Sequence, residues 1–324
     1  MMQKHHKFYS FLIFSIFWMI FNFLIQISFQ IPFAIAGEKL VTIVRSQQIS
    51  AYNEVIKGFE ERCKGENISI KAIYDLKGDV EEGKRIVQNI KINKLQTNLI
   101  LAVGVLATTL VKEQFPDIPI IFCMVINHER FNFQGVNITG ISCEASVEDQ
   151  FTILKEVLGV HKNVGVIYDP IKTGKIISEA ILIAKKLEFN LIQTEITSEK
   201  EVTSAIKNII SKIDALWIVP DGTVITKETI DGIIKLTQKH RLPTFCTSPA
   251  IVKAGALVSI SPDYTYMGIQ AAQLAQTLLS SQAITSLGVK QPDRLKLTIN
   301  TQTAEIIGVN LSSIKSRPEV VLYP

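Results

Sequence analysis

From Lys39 onward the chain alternates short apolar runs with segments of helical period, through two successive cycles. Strands buried on both faces read as continuous apolar runs, and a helix between them makes the crossover that parallel pairing requires. In the first cycle the expected strands are 40–44, 68–74, 98–103 and 119–123. Between them lie a helix with Val55, Ile56, Phe59 and Cys63 on one face, a second carrying Ile86, Val87 and Ile90, and a third over 105–114. The stretch 137–142 then marks a crossover into the second cycle. That cycle predicts helices over 147–158, 175–187, 199–210 and 227–239, strands over 163–168, 190–194, 214–219, 243–246 and 255–260, and a long helix containing Met267 and Leu278. A strand over 295–300 and a short helix over 303–307 form the tail. At 324 residues the chain exceeds what one core usually serves, so the pattern implies an α/β protein of two doubly wound, Rossmann-like parallel-sheet lobes.

The first residues read differently. Lys4, His5, His6 and Lys7 precede an almost wholly apolar run from Phe11 to Ile31, and Ala34-Ile35-Ala36 has the small-residue form of a cleavage site. This predicts a signal peptide over 1–36, cut after Ala36 or retained as an anchor, since the run is long enough to span a bilayer. After Gly37 each apolar run is broken by Asp, Glu, Lys or Gly before it reaches spanning length. The formal charge of +4, with no basic stripe interleaved with aromatics, excludes nucleic acid as an expected partner. Cys63, Cys123, Cys143 and Cys246 make no C-x-x-C pair. They are expected to be buried free thiols, with Cys123 and Cys143 the pair to test for a bridge. The five histidines have no zinc-ligand spacing, so neither metal nor cofactor is expected.

Ligands of open α/β sheets bind beyond the carboxyl ends of the strands, so the polar residues there are the candidate site. The apolar run Asp214–Val219 ends in Pro220-Asp221-Gly222-Thr223, which sets Asp221 just past a buried strand, either as a ligand group or as a turn former. Ser46 and Gln47 follow the first strand, with Tyr52 shortly after. Gly104 and Val105 join the third strand to a helix whose first N–H groups could seat a carboxylate, unless Gly104 serves close packing alone. Asn127, Asp169, Ser248 and Asp263 complete the strand-end set, each open to the alternative of turn former, loop polar residue or helix cap, and Tyr168 ends the strand over 163–168. No G-x-S-x-G elbow, P-loop or G-x-G-x-x-G occurs, which argues against an enzyme.

The order and spacing of Asn137-Ile138-Thr139-Gly140, Asp214 to Val224, Lys253-Ala254-Gly255-Ala256-Leu257, Asp263-Tyr264 and Met267-Gly268-Ile269-Gln270, closing with Asn300, Ala304 and Gly308-Val309, resemble a known family. It comprises the substrate-binding components of ABC importers related to those for tryptophan and tyrosine, which have the type I periplasmic-binding-protein fold. The resemblance covers nearly all of the chain after residue 38. It implies a two-lobed clamp with a three-strand hinge, exported to the periplasm to deliver a small solute to an ABC permease. The first lobe is then expected over 38–141 and about 262–298, the second over 142–261 and about 299–324. In that setting Asp221 is expected to take a solute's ammonium, Ser46, Gln47 and the N–H groups near Gly104 its carboxylate, and Tyr52 and Tyr168 to offer apolar wall, while Trp217, inside its strand, is expected first as core and only otherwise as wall. Two departures bear on the solute: Gly222 stands where the family usually has Asn, and Gln48-Ile49-Ser50-Ala51-Tyr52 where it has a His-Pro element. A sensor subunit held at the membrane is the alternative use of the same fold.

Overall fold

The computed structural model describes residues 38–92, 96–159, 162–281 and 283–324, so the expected signal peptide over 1–36 lies outside the described residues. Lys39–Pro324 contains two sheets. The first is built from β1 (Lys39–Arg45), β2 (Ile68–Asp75), β3 (Leu99–Val103), β4 (Ile120–Cys123), β5 (Ile138–Ile141) and the short β11 (Val289–Lys290), in the order β11-β5-β4-β3-β1-β2 with every pairing parallel. The second comprises β6 (Asn163–Tyr168), β7 (Asn190–Glu195), β8 (Ala215–Ile218), β9 (Thr244–Cys246), β10 (Val258–Pro262), β12 (Leu295–Asn300) and β13 (Val320–Tyr323), in the order β13-β12-β10-β9-β8-β6-β7. Only β10 with β12 runs antiparallel.

Helices cover both faces of each sheet, which is why the central strands carry no polar face. All five residues of β3 are buried; Leu99, Leu101 and Val103 join one core cluster, Ile100 and Ala102 the other. Helices α1 (Ser50–Cys63), α2 (Val80–Ile92) and α3 (Val105–Gln114) belong to the first lobe. The second holds α4 (Val147–Leu158), α5 (Pro170–Lys186), α6 (Val202–Ile209), α7 (Lys227–Lys239), α8 (Pro249–Lys253), α10 (Thr301–Ile307) and α11 (Ser312–Lys315). Between β10 and β11 the long α9 (Tyr264–Ser280) returns to the first lobe and packs on α1. The two helices cross at Gly58 and Gly268: a Cβ on Gly58 would lie 1.9 Å from the Thr265 carbonyl oxygen, and one on Gly268 2.0 Å from that of Val55.

The chain therefore passes between lobes after β5, after β10 and between β11 and β12. The last passage falls at Gln291–Arg294, so residues 295–298, expected in the first lobe, form part of β12 in the second sheet. Helix α5 starts five residues before the expected Lys175. Asp169 caps it by accepting from the Ile171 N–H at 3.0 Å, and Pro170 occupies the first turn, where no intrahelical N–H bond is lost. Gly174 sits inside the helix without breaking it. Trp217 is core: its indole N–H donates to Gln150 Oε1 at 3.0 Å and its ring meets Phe151 edge-on at 5.2 Å. All four cysteines are buried and free.

Candidate functional site

Strand ends from both lobes meet at a cleft of about 460 Å³. The first lobe and the passage out of it contribute Ile126, Asn127, Arg130, Cys143 and Glu144, with Tyr264 from the start of α9. The second lobe contributes Pro220, Asp221, Gly222 and Ile225 after β8, and Thr247, Ser248, Ala250 and Ile251 after β9 and along α8. Aliphatic and polar side chains share the wall, and three of the lining side chains, Arg130, Glu144 and Asp221, are charged.

Asp221 is almost completely buried, and its carboxylate is engaged within its own lobe. Oδ2 accepts from the Asp169 N–H at 2.8 Å and the Thr173 hydroxyl at 2.6 Å, and Oδ1 from the Thr223 N–H at 2.7 Å. Thr223 in turn donates its hydroxyl to Asp169 Oδ2 at 2.8 Å and accepts from Lys172 Nζ at 2.6 Å. The Thr223 hydroxyl, above all, holds the Asp169 carboxyl below its usual range, helped by the Ile171 N–H and the Lys172 charge. This network ties the loop after β6 to the loop after β8. Gly222 stands exposed beside it, with only Lys172 Nζ within 4 Å of where a Cβ would be.

Glu144 is held by much less. One oxygen accepts from the Asn127 N–H at 3.0 Å, and no other hydrogen-bond partner is found for the carboxylate among the described residues. Burial pushes it up to about 7, against the lowering effect of the Asn127 N–H and with a smaller push from the Glu129 charge. Asn127 adopts a left-handed backbone at φ 50°, and Met124, three residues earlier, does so at φ 58°. Two such residues in one short loop mark a backbone held by its surroundings. From there Asn127 Nδ2 reaches the Lys172 carbonyl of the second lobe at 2.9 Å, and Glu129 pairs with Lys175 of α5. Arg130 lies 5.9 Å from the Phe131 ring centre and has no carboxylate partner among the described residues.

The expected site residues divide accordingly. Asn127, Asp221, Gly222 and Ser248 line the cleft. Asp169 and Thr223 stand behind it in the network. Ser46 and Tyr52 converge on Gly104, whose φ of +92° and lack of a side chain are both required: a Cβ would lie 2.5 Å from the Tyr52 hydroxyl and 2.6 Å from Ser46 Oγ. Ser46 Oγ accepts from the Ala107 N–H at 3.0 Å, so it caps α3, while Val105 packs against the core on the α3 side. Burial, chiefly, pushes the Tyr52 phenol up to about 12. Gln47 is exposed and lies over Gly78. Tyr168 is a core residue whose hydroxyl donates to Glu195 Oε1 at 2.9 Å. Asp263 caps α9 through the Tyr266 N–H at 3.1 Å and pairs with Lys296 at 3.1 Å. Arg130, Glu144 and Tyr264 were not singled out from the sequence; Asp263-Tyr264 figured there only as a marker.

The sequence profile of the ABC transporter substrate binding protein family matches residues 41–319, nearly the whole of the two-lobed body. The chain belongs to this family. Like other ABC transporter substrate-binding proteins it is a binding component and not an enzyme, and such proteins take small-molecule solutes and work with an ABC transporter. A tyrosine-binding protein of Clostridioides difficile is 24% identical over 274 residues, covering 80% of this chain and 77% of that protein. Among solved structures, a ligand-free, open substrate binding protein with adhesive properties from Clostridium difficile superposes with a TM-score of 0.75 at 21% identity, over 88% of this chain and 99% of that one. An ABC domain in complex with L-Trp from Streptococcus pneumonia does so with a TM-score of 0.64 at 18% identity, over 88% and 100%. The fold is that of the type I periplasmic binding proteins. Among the described residues no helix is long and apolar enough to cross a membrane, and no group of three or more His, Cys, Asp or Glu could hold a metal ion.

Proposed function

We propose that this substrate-binding protein is exported by its N-terminal segment, captures a small amino-acid-like solute in the interlobe cleft and delivers it to a membrane permease for import. The observation that carries the reading is the cleft itself. It is walled from both lobes and combines apolar side chains with convergent polar groups, as small-molecule sites do. Contacts to both lobes are what let a solute favour the closed arrangement, because only differential contact shifts such an equilibrium. Asn127 already spans the gap to Lys172, so closure has a preformed point of contact. The tyrosine-binding relative and the L-Trp complex supply the amino-acid element of the reading. Gly222 leaves open space at the cleft, consistent with a solute whose side chain differs from theirs.

Purifying the protein, denaturing it and identifying the released small molecules by mass spectrometry tests this directly, backed by calorimetric titration with the common amino acids. A co-purifying amino acid that rebinds is the expected result. A sugar or an inorganic ion released in its place would overturn the amino-acid reading, and turnover of the captured solute would overturn the transport reading.

A further inference from the structure

The loop after β4 ties the two lobes together. Toward the second lobe, Asn127 Nδ2 donates to the Lys172 carbonyl at 2.9 Å and Glu129 pairs with Lys175, both partners standing in the first two turns of α5. On its other side the Asn127 N–H donates to Glu144 at 3.0 Å. The backbone is left-handed at Met124 and Asn127, a form that Met adopts poorly, so the shape of the loop depends on what holds it. Glu144 stands between the interlobe cleft and a smaller cavity of about 130 Å³, and lines both. His128 and Glu129 of the same loop and Lys175 and Glu179 of α5 share the smaller cavity with it; Arg130, Cys143, Asp221 and Tyr264 share the cleft. Among the described residues none of these hydrogen-bonds the Glu144 carboxylate or pairs with it. Ionised, it keeps one N–H donor in place of the water it has lost, so its charge is costly with the lobes together and cheaper once they part and water reaches it.

We propose that Glu144 is the proton-sensitive pin of an interlobe latch: its neutral carboxyl holds the Asn127 loop against α5, and its ionisation releases the second lobe. The latch rests on the two-lobed solute-binding reading above, though not on which solute the cleft takes. Burial, chiefly, holds Glu144 up to about 7 with the lobes together, against an ordinary 4.5. Closure therefore takes up a proton, and the latch is favoured at low pH and released as pH rises through about 7. Burial, chiefly, also holds His128 below its ordinary range and the Cys143 thiol and Tyr264 phenol above theirs, which leaves this window to Glu144.

The test is the interlobe distance in dialysed protein without added solute, measured by pulsed electron resonance between spin labels on Glu61→Cys of α1 and Lys235→Cys of α7. Both positions are exposed, and the four native thiols are buried. The ratio of open to closed forms should rise on the order of 10-fold from pH 6 to pH 8. Glu144→Gln keeps an acceptor for the Asn127 N–H and cannot ionise, so it should stay closed at both pH values. Glu144→Ala offers no acceptor and should be open at both. Circular dichroism confirms that the variants fold, and the unaltered protein can refute the latch without them. A distance that does not respond to pH in the unaltered protein, or a response that persists undiminished in Glu144→Gln, would overturn the latch and leave solute capture standing. Failure to bind any solute in calorimetry would instead strike the solute reading, while the label distances would still decide the latch.

Discussion

Asp221 and Glu144 are carboxylates facing one cleft from opposite sides, and the fold treats them in opposite ways. Asp221 accepts three hydrogen bonds from the second lobe and is almost inaccessible. Glu144, on the passage out of the first lobe, accepts one. A carboxylate offers about four acceptor positions, so the first is nearly used up by its own fold and the second is left mostly free. Position at a strand end does not by itself make a ligand group. What decides is whether the fold has already supplied the donors.

The largest effect should come from breaking the saturated member. Asp221→Ala strands the Asp169 N–H, the Thr173 hydroxyl and the Thr223 N–H in a buried loop junction, at a cost of roughly 3–5 kcal/mol. Urea or thermal denaturation should register it as a fall in midpoint on the order of 10 °C. A variant that keeps its stability and loses only solute affinity would make Asp221 a ligand group and undo the contrast.

Next in size is a difference in pH response. Glu144 is raised to about 7 by burial, so the folded protein holds its proton where the unfolded chain has released it. That stabilisation is complete below about pH 4.5 and is lost as pH rises through about 7, amounting to roughly 1–3 kcal/mol. Asp169 is held low, chiefly by the Thr223 hydroxyl, and has the opposite sign: its contribution is present above its ordinary range and lost in acid. Stability curves from pH 4.5 to 8 should therefore lose a downward slope in Glu144→Gln. Glu129 lies close enough to raise Glu144 further, so Glu129→Gln should shift the slope to lower pH without removing it.

The contrast between these two residues also marks how far the sequence could be read. The buried strands are continuous apolar runs bounded by turns, so both sheets and the strand-end position of Asp221 were legible. Its saturation was not, because Asp169 and Thr173 lie 52 and 48 residues away and their approach is a product of strand order. Glu144 sits in Ser142-Cys143-Glu144-Ala145, which matches no motif; its burial arises only when the chain crosses between lobes there. The early start of α5 was written in Asp169-Pro170 as a cap followed by a first-turn proline, but Gly174 pulled the expected boundary past it. Helix α8 and strand β13 escaped notice because five and four residues are too few to show a period.

A smaller effect is expected at the contact between the lobes. Asn127→Ala removes the hydrogen bond to the Lys172 carbonyl and places a residue less tolerant of the left-handed backbone at φ 50°. Together these should cost about 1–2 kcal/mol. Asn127→Gly relieves the backbone and removes only the side-chain bond, so it should recover part of the stability while leaving the lobes less tied. Small-angle scattering of the two variants would separate the terms: an opened average shape in both assigns the effect to the Lys172 contact, and in Ala alone to the loop backbone.

The smallest effect on stability, and the sharpest on specificity, is expected at Gly222. Its φ does not lie in the left-handed region, it is exposed, and a Cβ would meet nothing closer than Lys172 Nζ at 3.9 Å. Gly222→Asn should thus change stability by no more than about 0.5 kcal/mol, since the restricted unfolded chain offsets any local crowding. The new amide would project beside Asp221 into the open side of the cleft, within reach of the Lys172 ammonium, and would take up volume now available to a solute side chain. Titration of the variant against the common amino acids should show large side chains losing affinity relative to small ones. Were every amino acid to lose affinity equally, Gly222 would border the ends that all amino acids share and not the solute's side chain, and Asp221 beside it would count among the ligand groups.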